Sequence, residues 1–216
     1  MDYDGDGRLD LITGSDDCCN SGQFFLFRRC ADGSFGARET FSARDSKTEL
    51  LHLTSRTRVY LADWNLDNRL DLIVSFSEAR GVFVSRGPLP DHGEFEMSDL
   101  IDDGEHTASV SSKPNVADWD DDGIPDLVVT LRMPENRKDL AYIFRGIRDT
   151  TGIRLSRNPI LLVSPPEGAR FSDVDVADWD GDGTLDLLAG VTWPDRAGAK
   201  SEHHSQVWVY RRIPSE

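Results

Sequence analysis

Long apolar runs are missing from this sequence. No stretch approaches the roughly 18 consecutive apolar residues that a membrane-crossing helix needs, so no membrane insertion is expected. Cationic side chains are also in short supply. Lys and Arg number 24 against 39 Asp and Glu, a formal net charge of -15. Nucleic-acid binding needs clustered Lys and Arg, so nucleic acid is excluded as a partner, and anionic membrane surfaces are disfavoured. Cysteine is scarce: Cys18, Cys19 and Cys30 are too few and too clustered for a disulfide framework. Free thiols are expected, since Cys30 lies a full strand away from the other two. Signatures of catalysis are lacking as well. There is no glycine-rich phosphate loop, no Gly-x-Ser-x-Gly and no metal-hydrolase histidine pair. Met1 runs directly into Asp2-Tyr3-Asp4, which is not a secretory leader. Apolar residues at helical spacing are absent too.

What the chain does have is a repeat, the first feature to seek in any sequence. Asp2 to Asp10, Asp63 to Asp71, Asp118 to Asp126 and Asp178 to Asp186 align as four nine-residue acidic segments about 60 residues apart. Each leads into an apolar run: Leu11-Ile12, Leu72-Ile73-Val74, Leu127-Val128-Val129 and Leu187-Leu188-Ala189. A continuous apolar run of this length reads as a strand buried on both faces. Short extended segments precede three of the loops, at Arg58–Ala62, Lys113–Ala117 and Ser172–Ala177. A third strand is expected at Phe24–Arg28, Gly81–Ser85, Leu140–Phe144 and Val207–Tyr210, and a fourth after a turn, as at Phe35–Phe41. The order strand, acidic loop, strand, strand, strand implies an all-β fold of four-stranded antiparallel blades, a β-propeller. The expectation is a single propeller domain over residues 1–216, with repeats at about 1–47, 56–105, 111–165 and 171–216. Three and a half to four blades do not close a ring neatly. The chain therefore reads as a fragment of a larger propeller, completed by its missing remainder or by a second copy.

The loops have the chemistry of a calcium site. Asp-x-Asp-x-Asp-Gly-x-x-Asp offers carboxylates at positions 1, 3, 5 and 9 and a backbone carbonyl at position 7. Calcium takes six to eight hard oxygen ligands at roughly 2.3–2.6 Å, and magnesium demands a stricter octahedron. No soft or nitrogenous ligand suggests zinc or copper. The candidate ligands are Asp2, Asp4, Asp6, Arg8 and Asp10 in the first loop and Asp63, Asn65, Asp67, Arg69 and Asp71 in the second. In the third they are Asp118, Asp120, Asp122, Ile124 and Asp126, and in the fourth Asp178, Asp180, Asp182, Thr184 and Asp186. Arg8, Arg69, Ile124 and Thr184 would contribute carbonyls only. The second loop departs furthest from the pattern, with Asn65 at position 3 and Asn68 where the others have glycine.

Electrostatics supports a bound cation. Two carboxylates 4 Å apart repel by roughly 4 kcal/mol at an effective dielectric of 20. The loops hold 16 of the 39 acidic residues, so the charge is concentrated rather than spread over a solvated face. Up to four Ca²⁺ ions would add eight positive charges and bring the net charge from -15 to -7. Four merely solvated acidic turns would not share one spacing and one following strand. An EF-hand is excluded because its position 12 requires Glu between helices; here Thr13, Val74, Val129 and Ala189 stand there.

At these residues the chain resembles the FG-GAP/VCBS repeat family, including the calcium-bearing blades of integrin α-subunit propellers. The markers are Ala62-Asp63-Trp64, Ala117-Asp118-Trp119 and Ala177-Asp178-Trp179 entering the loops and an Asp-Leu pair leaving each; a Phe-Gly signature appears once, at Phe35-Gly36. The resemblance implies a propeller, usually seven-bladed, with calcium in the hairpin between the first and second strands of a blade. It also implies an extracellular or surface-attached protein used for adhesion or for binding protein or carbohydrate ligands through variable loops. The alternative is the propeller portion of a polysaccharide-active enzyme. No catalytic residue is assigned and no enzyme activity is expected of this chain. Tyr3, Trp64, Trp119 and Trp179 share position 2 of their loops, and a repeated position favours packing over sugar stacking. His203-His204 and Asp16-Asp17 read as polar loop surface.

Overall fold

The computed structural model describes residues 2–14, 23–45, 57–76, 82–85, 93–101, 109–132, 138–193 and 204–212. Among these residues every regular element is a strand and none is a helix. The chain divides into two compact units, Met1–Asp102 and Asp103–Glu216, each holding two of the acidic loops.

In the first unit, β1 (Leu11–Gly14), β2 (Gln23–Phe27) and β3 (Glu39–Asp45) follow the first loop. The second loop lies between β4 (Thr57–Ala62) and β5 (Asp71–Phe76), followed by β6 (Val82–Ser85) and β7 (Gly93–Asp99). β4 to β7 form an antiparallel four-stranded meander, with Ala62 paired to Asp71, Val74 to Phe83 and Val84 to Ser98. β1, β2 and β3 are likewise antiparallel. The two runs join in one seven-stranded sheet because β3 pairs in parallel with β7, Phe41 opposite Gly93. Separate blades were the expectation from the sequence, and this parallel join departs from it. The fourth strand of the first repeat also starts later than expected. Phe35 makes only an isolated bridge to Arg29, because the turn at Asp32–Gly33 bonds back to Cys30 before pairing resumes at Glu39. β1 and β4, at the two ends of the sheet order, approach closely: a Cβ on Gly14 would lie 2.3 Å from the carbonyl oxygen of Thr57.

The second unit opens with β8 (Ser109–Val110) and β9 (Asn115–Ala117), which share one edge of β10 (Asp126–Arg132). Pro114 lies between them and lacks an N–H for the ladder. In the same break between the two strands, the Ser112 hydroxyl accepts from the Thr130 N–H at 2.8 Å. β11 (Asp139–Phe144) pairs with β10 and with β14 (Ile160–Val163). Between them sits a hairpin not read from the sequence, β12 (Gly146–Asp149) and β13 (Gly152–Leu155). β15 (Arg170–Ala177), β16 (Asp186–Trp193) and β17 (His204–Tyr210) form an antiparallel three-stranded sheet around the fourth loop.

Burial follows the apolar pattern. Leu72, Ile73 and Val74 of β5 and Leu127, Val128 and Val129 of β10 are fully buried, as continuous apolar runs require. β2 alternates instead, with only Phe24 and Leu26 buried. One core cluster joins Phe24, Leu26 and Phe41 to Leu72 and Val74; another joins Val128, Ala141 and Ile143 to Phe171, Leu187 and Val191. Each cluster spans two repeats of its own unit. In the second unit, polar ties add to it: the Asn115 side chain donates to the Val174 carbonyl at 2.8 Å. Cys30 is exposed and its thiol is free. Cys18, Cys19, His203 and Asp16-Asp17 lie outside the described residues, and His204 begins β17 rather than a loop.

Candidate metal centre

The four acidic loops fold with closely similar internal wiring, the fourth differing in one donor. The position-1 carboxylate accepts backbone N–H groups from further along its loop. Asp2 takes those of Asp6 (3.0 Å) and Gly7 (2.8 Å), and Asp63 those of Asp67 (2.9 Å) and Asn68 (2.7 Å). Asp118 takes those of Asp122 (3.0 Å) and Gly123 (2.8 Å), and Asp178 those of Gly181 (2.7 Å) and Gly183 (3.1 Å). The position-5 carboxylate accepts the position-7 N–H at 2.8–2.9 Å in every loop. At position 6 the backbone is left-handed, with φ of 84° at Gly7, 66° at Asn68, 80° at Gly123 and 88° at Gly183. Asparagine tolerates that conformation better than most residues, so the second loop keeps the shape. Position 4 is left-handed too, at Leu66 and Asp121 as well as at Gly5 and Gly181, a demand the sequence pattern did not reveal.

Position 9 behaves differently from the rest. Asp10, Asp71, Asp126 and Asp186 are buried, with 1–8 % of their surface exposed. One oxygen of each accepts the position-2 N–H of its own loop, from Tyr3, Trp64, Trp119 or Trp179, at 2.8–3.2 Å. In three loops the other oxygen accepts an N–H beyond the third strand: Arg29 onto Asp10 (2.8 Å), Gly146 onto Asp126 (2.7 Å) and Arg212 onto Asp186 (2.8 Å). The sequence reading made position 9 a ligand; the fold makes it first of all a clamp that fastens the loop's start to the third strand. Burial raises the carboxyls of Asp71 and Asp126 above the ordinary carboxylate range, and the neighbouring loop aspartates push the same way.

The carboxylates at the loop mouths converge. Ligand atoms of Asp2, Asp4 and Asp10, of Asp118, Asp120 and Asp122, and of Asp178, Asp180 and Asp182 lie within 4.8 Å of one another in each group. Two oxygens on one calcium ion at roughly 2.3–2.6 Å are at most about 5 Å apart, so these oxygen-only sets fit a single ion. In the second loop Asn65 replaces the position-3 carboxylate, and its side-chain oxygen accepts the Asp67 N–H at 2.9 Å.

Arginines missed in the sequence reading complete the picture. Arg28 reaches Asp4 at 2.9 Å, Arg145 pairs with Asp120, and Arg211 reaches Asp180 at 3.4 Å. Each directly follows a third strand, in register beside position 9, as the pairs Leu11–Phe27, Leu127–Phe144 and Leu187–Tyr210 show. Arg28, donating to Asp4, holds that carboxyl below the usual range. Arg8 at position 7 pairs with Asp6, a further guanidinium in the first loop.

The position-2 aromatics are mainly structural. Tyr3 packs against the first unit's core and Trp119 against the second's, and Trp64 is buried. Trp179 is the exception, 58 % exposed. The FG-GAP-like repeat family matches the chain over residues 2–74 and 118–189. No curated protein matches it.

Proposed function

The chain belongs to the FG-GAP-like repeat family, and from that premise we propose that it is a calcium-stabilised β-propeller scaffold, an extracellular interaction module rather than an enzyme. The observation that carries this reading is the shared wiring of the four loops, three of which gather carboxylates within 4.8 Å. Asp2, Asp4 and Asp10, Asp118, Asp120 and Asp122, and Asp178, Asp180 and Asp182 would hold the ion; Asp63, Asn65 and Asp67 offer a weaker set. Calcium supplies positive charge where like charges converge. The chain's own residues do the rest. Position 1 orders the loop by accepting two N–H groups, the left-handed residues at positions 4 and 6 turn it, and position 9 anchors it. Calcium at extracellular modules binds with Kd of about 10⁻⁴–10⁻³ M, which cytosolic levels would leave empty. The partners proposed are protein or carbohydrate surfaces met by the variable segments between strands.

Calorimetry with CaCl₂ and melting curves with and without EDTA test the calcium claim. At a tenfold excess over Kd each site adds about 1.4 kcal/mol. Two sites in a unit of this size correspond to a rise of roughly 10 °C. Identical melting curves in calcium and EDTA, with no heat of binding at millimolar calcium, would defeat the proposal.

A further inference from the structure

The guanidinium groups at the loop mouths recur too regularly to be incidental. In three loops of different sequence, an arginine immediately after the third strand lies on the position-3 carboxylate: Arg28 on Asp4, Arg145 on Asp120 and Arg211 on Asp180. Two of these arginines have a second carboxylate partner, Glu39 for Arg28 (2.8 Å) and Asp126 for Arg145 (3.8 Å). In the second loop the pattern changes on the carboxylate side alone. Arg86 follows β6 in the sequence, but the second loop has the neutral Asn65 at position 3. Arg86 itself lies outside the described residues.

A guanidinium and a calcium ion compete for the same carboxylate lone pairs. Asp4, Asp120 and Asp180 each belong to a cluster of converging carboxylates or contribute to its mouth. The arginine is fixed to the strand, so its local concentration is high, yet it remains partly solvated: side-chain exposure is 28 % for Arg28, 32 % for Arg145 and 64 % for Arg211. It can therefore leave the carboxylate without opening the core. Resting on the calcium reading above, we propose that Arg28, Arg145 and Arg211 are tethered cations that occupy the position-3 carboxylate of the metal-free loop and must swing away for calcium to bind. They hold the carboxylate cluster together without metal and weaken the affinity for the ion.

The test compares the full chain with the triple variant R28Q/R145Q/R211Q and with the corresponding triple lysine variant. Calcium affinity is read by calorimetry with CaCl₂ alone, and metal-free stability by melting in EDTA. Partly exposed ion pairs are weak, so glutamine should tighten calcium about two- to fivefold at the Arg28 and Arg145 sites. The more exposed Arg211 should give less. The same variant should melt lower in EDTA. Lysine should keep both properties near the wild type. Unchanged or weaker calcium binding by the glutamine variant, with wild-type binding intact, overturns this inference alone. If the wild type binds no calcium, the calcium reading fails; binding by the glutamine variant alone would then uphold the tethered cation, and binding by neither would overturn it. Should circular dichroism show the triple variant unfolded, R211Q, at the most exposed arginine, carries the same comparison.

Discussion

Replacing Asp126 by alanine separates the two jobs that the loop carboxylates perform. Asp126 is 1 % exposed, and its oxygens accept the N–H groups of Trp119 at 3.1 Å and Gly146 at 2.7 Å. The Gly146 donor is buried. A buried donor left unsatisfied costs about 1–3 kcal/mol. The Trp119 donor is only part-buried, so water recovers some of its loss. Removing a carboxylate that burial disfavours offsets a little more. The net expectation is a loss of about 2–4 kcal/mol, with or without metal. For a unit of about 100 residues that is roughly 8–16 °C in Tm. Asp120 provides the contrast. It is on the loop's outer side and pairs with Arg145 at 34 % exposure, so Asp120→Ala should cost at most about 1 kcal/mol in EDTA. In calcium the ranking narrows, because Asp120→Ala forfeits the ion at that loop while Asp126→Ala already carries its penalty. Differential scanning fluorimetry of both variants in EDTA and in millimolar calcium reads all four values. Wild-type melting of Asp126→Ala in EDTA, or equal losses for the two variants there, would refute the division of labour.

Two further outcomes can be checked alongside it. Trp64→Ala should destabilise by about 3–5 kcal/mol, as expected for a large buried aromatic, whereas Trp179→Ala should change the urea midpoint little, because Trp64 is 4 % exposed and Trp179 58 %. Equal effects would show that exposure misrepresents one of them. Asp149 accepts from the Thr151 hydroxyl and N–H and from Arg154, which hold its carboxyl down at about 2 against an ordinary 3.8. Because the folded value is the depressed one, its contribution is present in full above pH 3.8 and is lost as pH falls towards 2. Urea midpoints of the wild type and Asp149→Asn should thus differ at neutral pH and converge across that acid window; a constant difference would contradict it.

Most of the site was legible because its signal is local. Nine-residue spacing, glycine at position 6 and the apolar run that follows are each fixed by the geometry of one loop and one strand. What was not legible depends on partners at variable distance. The clamp on Asp10 comes from Arg29, that on Asp126 from Gly146 and that on Asp186 from Arg212, separations that change with every inter-strand loop. The arginines on position 3 stand between 18 and 25 residues after position 9, so no fixed-spacing pattern finds them. Aligning the third strands instead of the loops would have placed Arg28, Arg86, Arg145 and Arg211 in one column. The parallel pairing of β3 with β7 was invisible for another reason: alternation fixes which face of a strand is buried, but not which free edge it meets.

The wiring of the loops also limits what calcium can do to them. Their position-1 and position-9 carboxylates are already engaged by backbone N–H groups, and their left-handed residues are already in place. An ion entering such a loop does not have to order it, so little binding energy is spent on chain entropy. Its contribution would come instead from relieving repulsion among carboxylates that the fold has already brought together. Stabilisation by each site should then grow with the logarithm of free calcium above its Kd and add between distant loops. A zinc finger, whose fold appears only with its metal, follows the opposite logic. On the calcium reading, the β-sheets of this chain build the site and the ion would only make its charge tolerable. The position-3 arginines fit the same scheme, because a prewired acidic mouth without calcium still needs a positive charge.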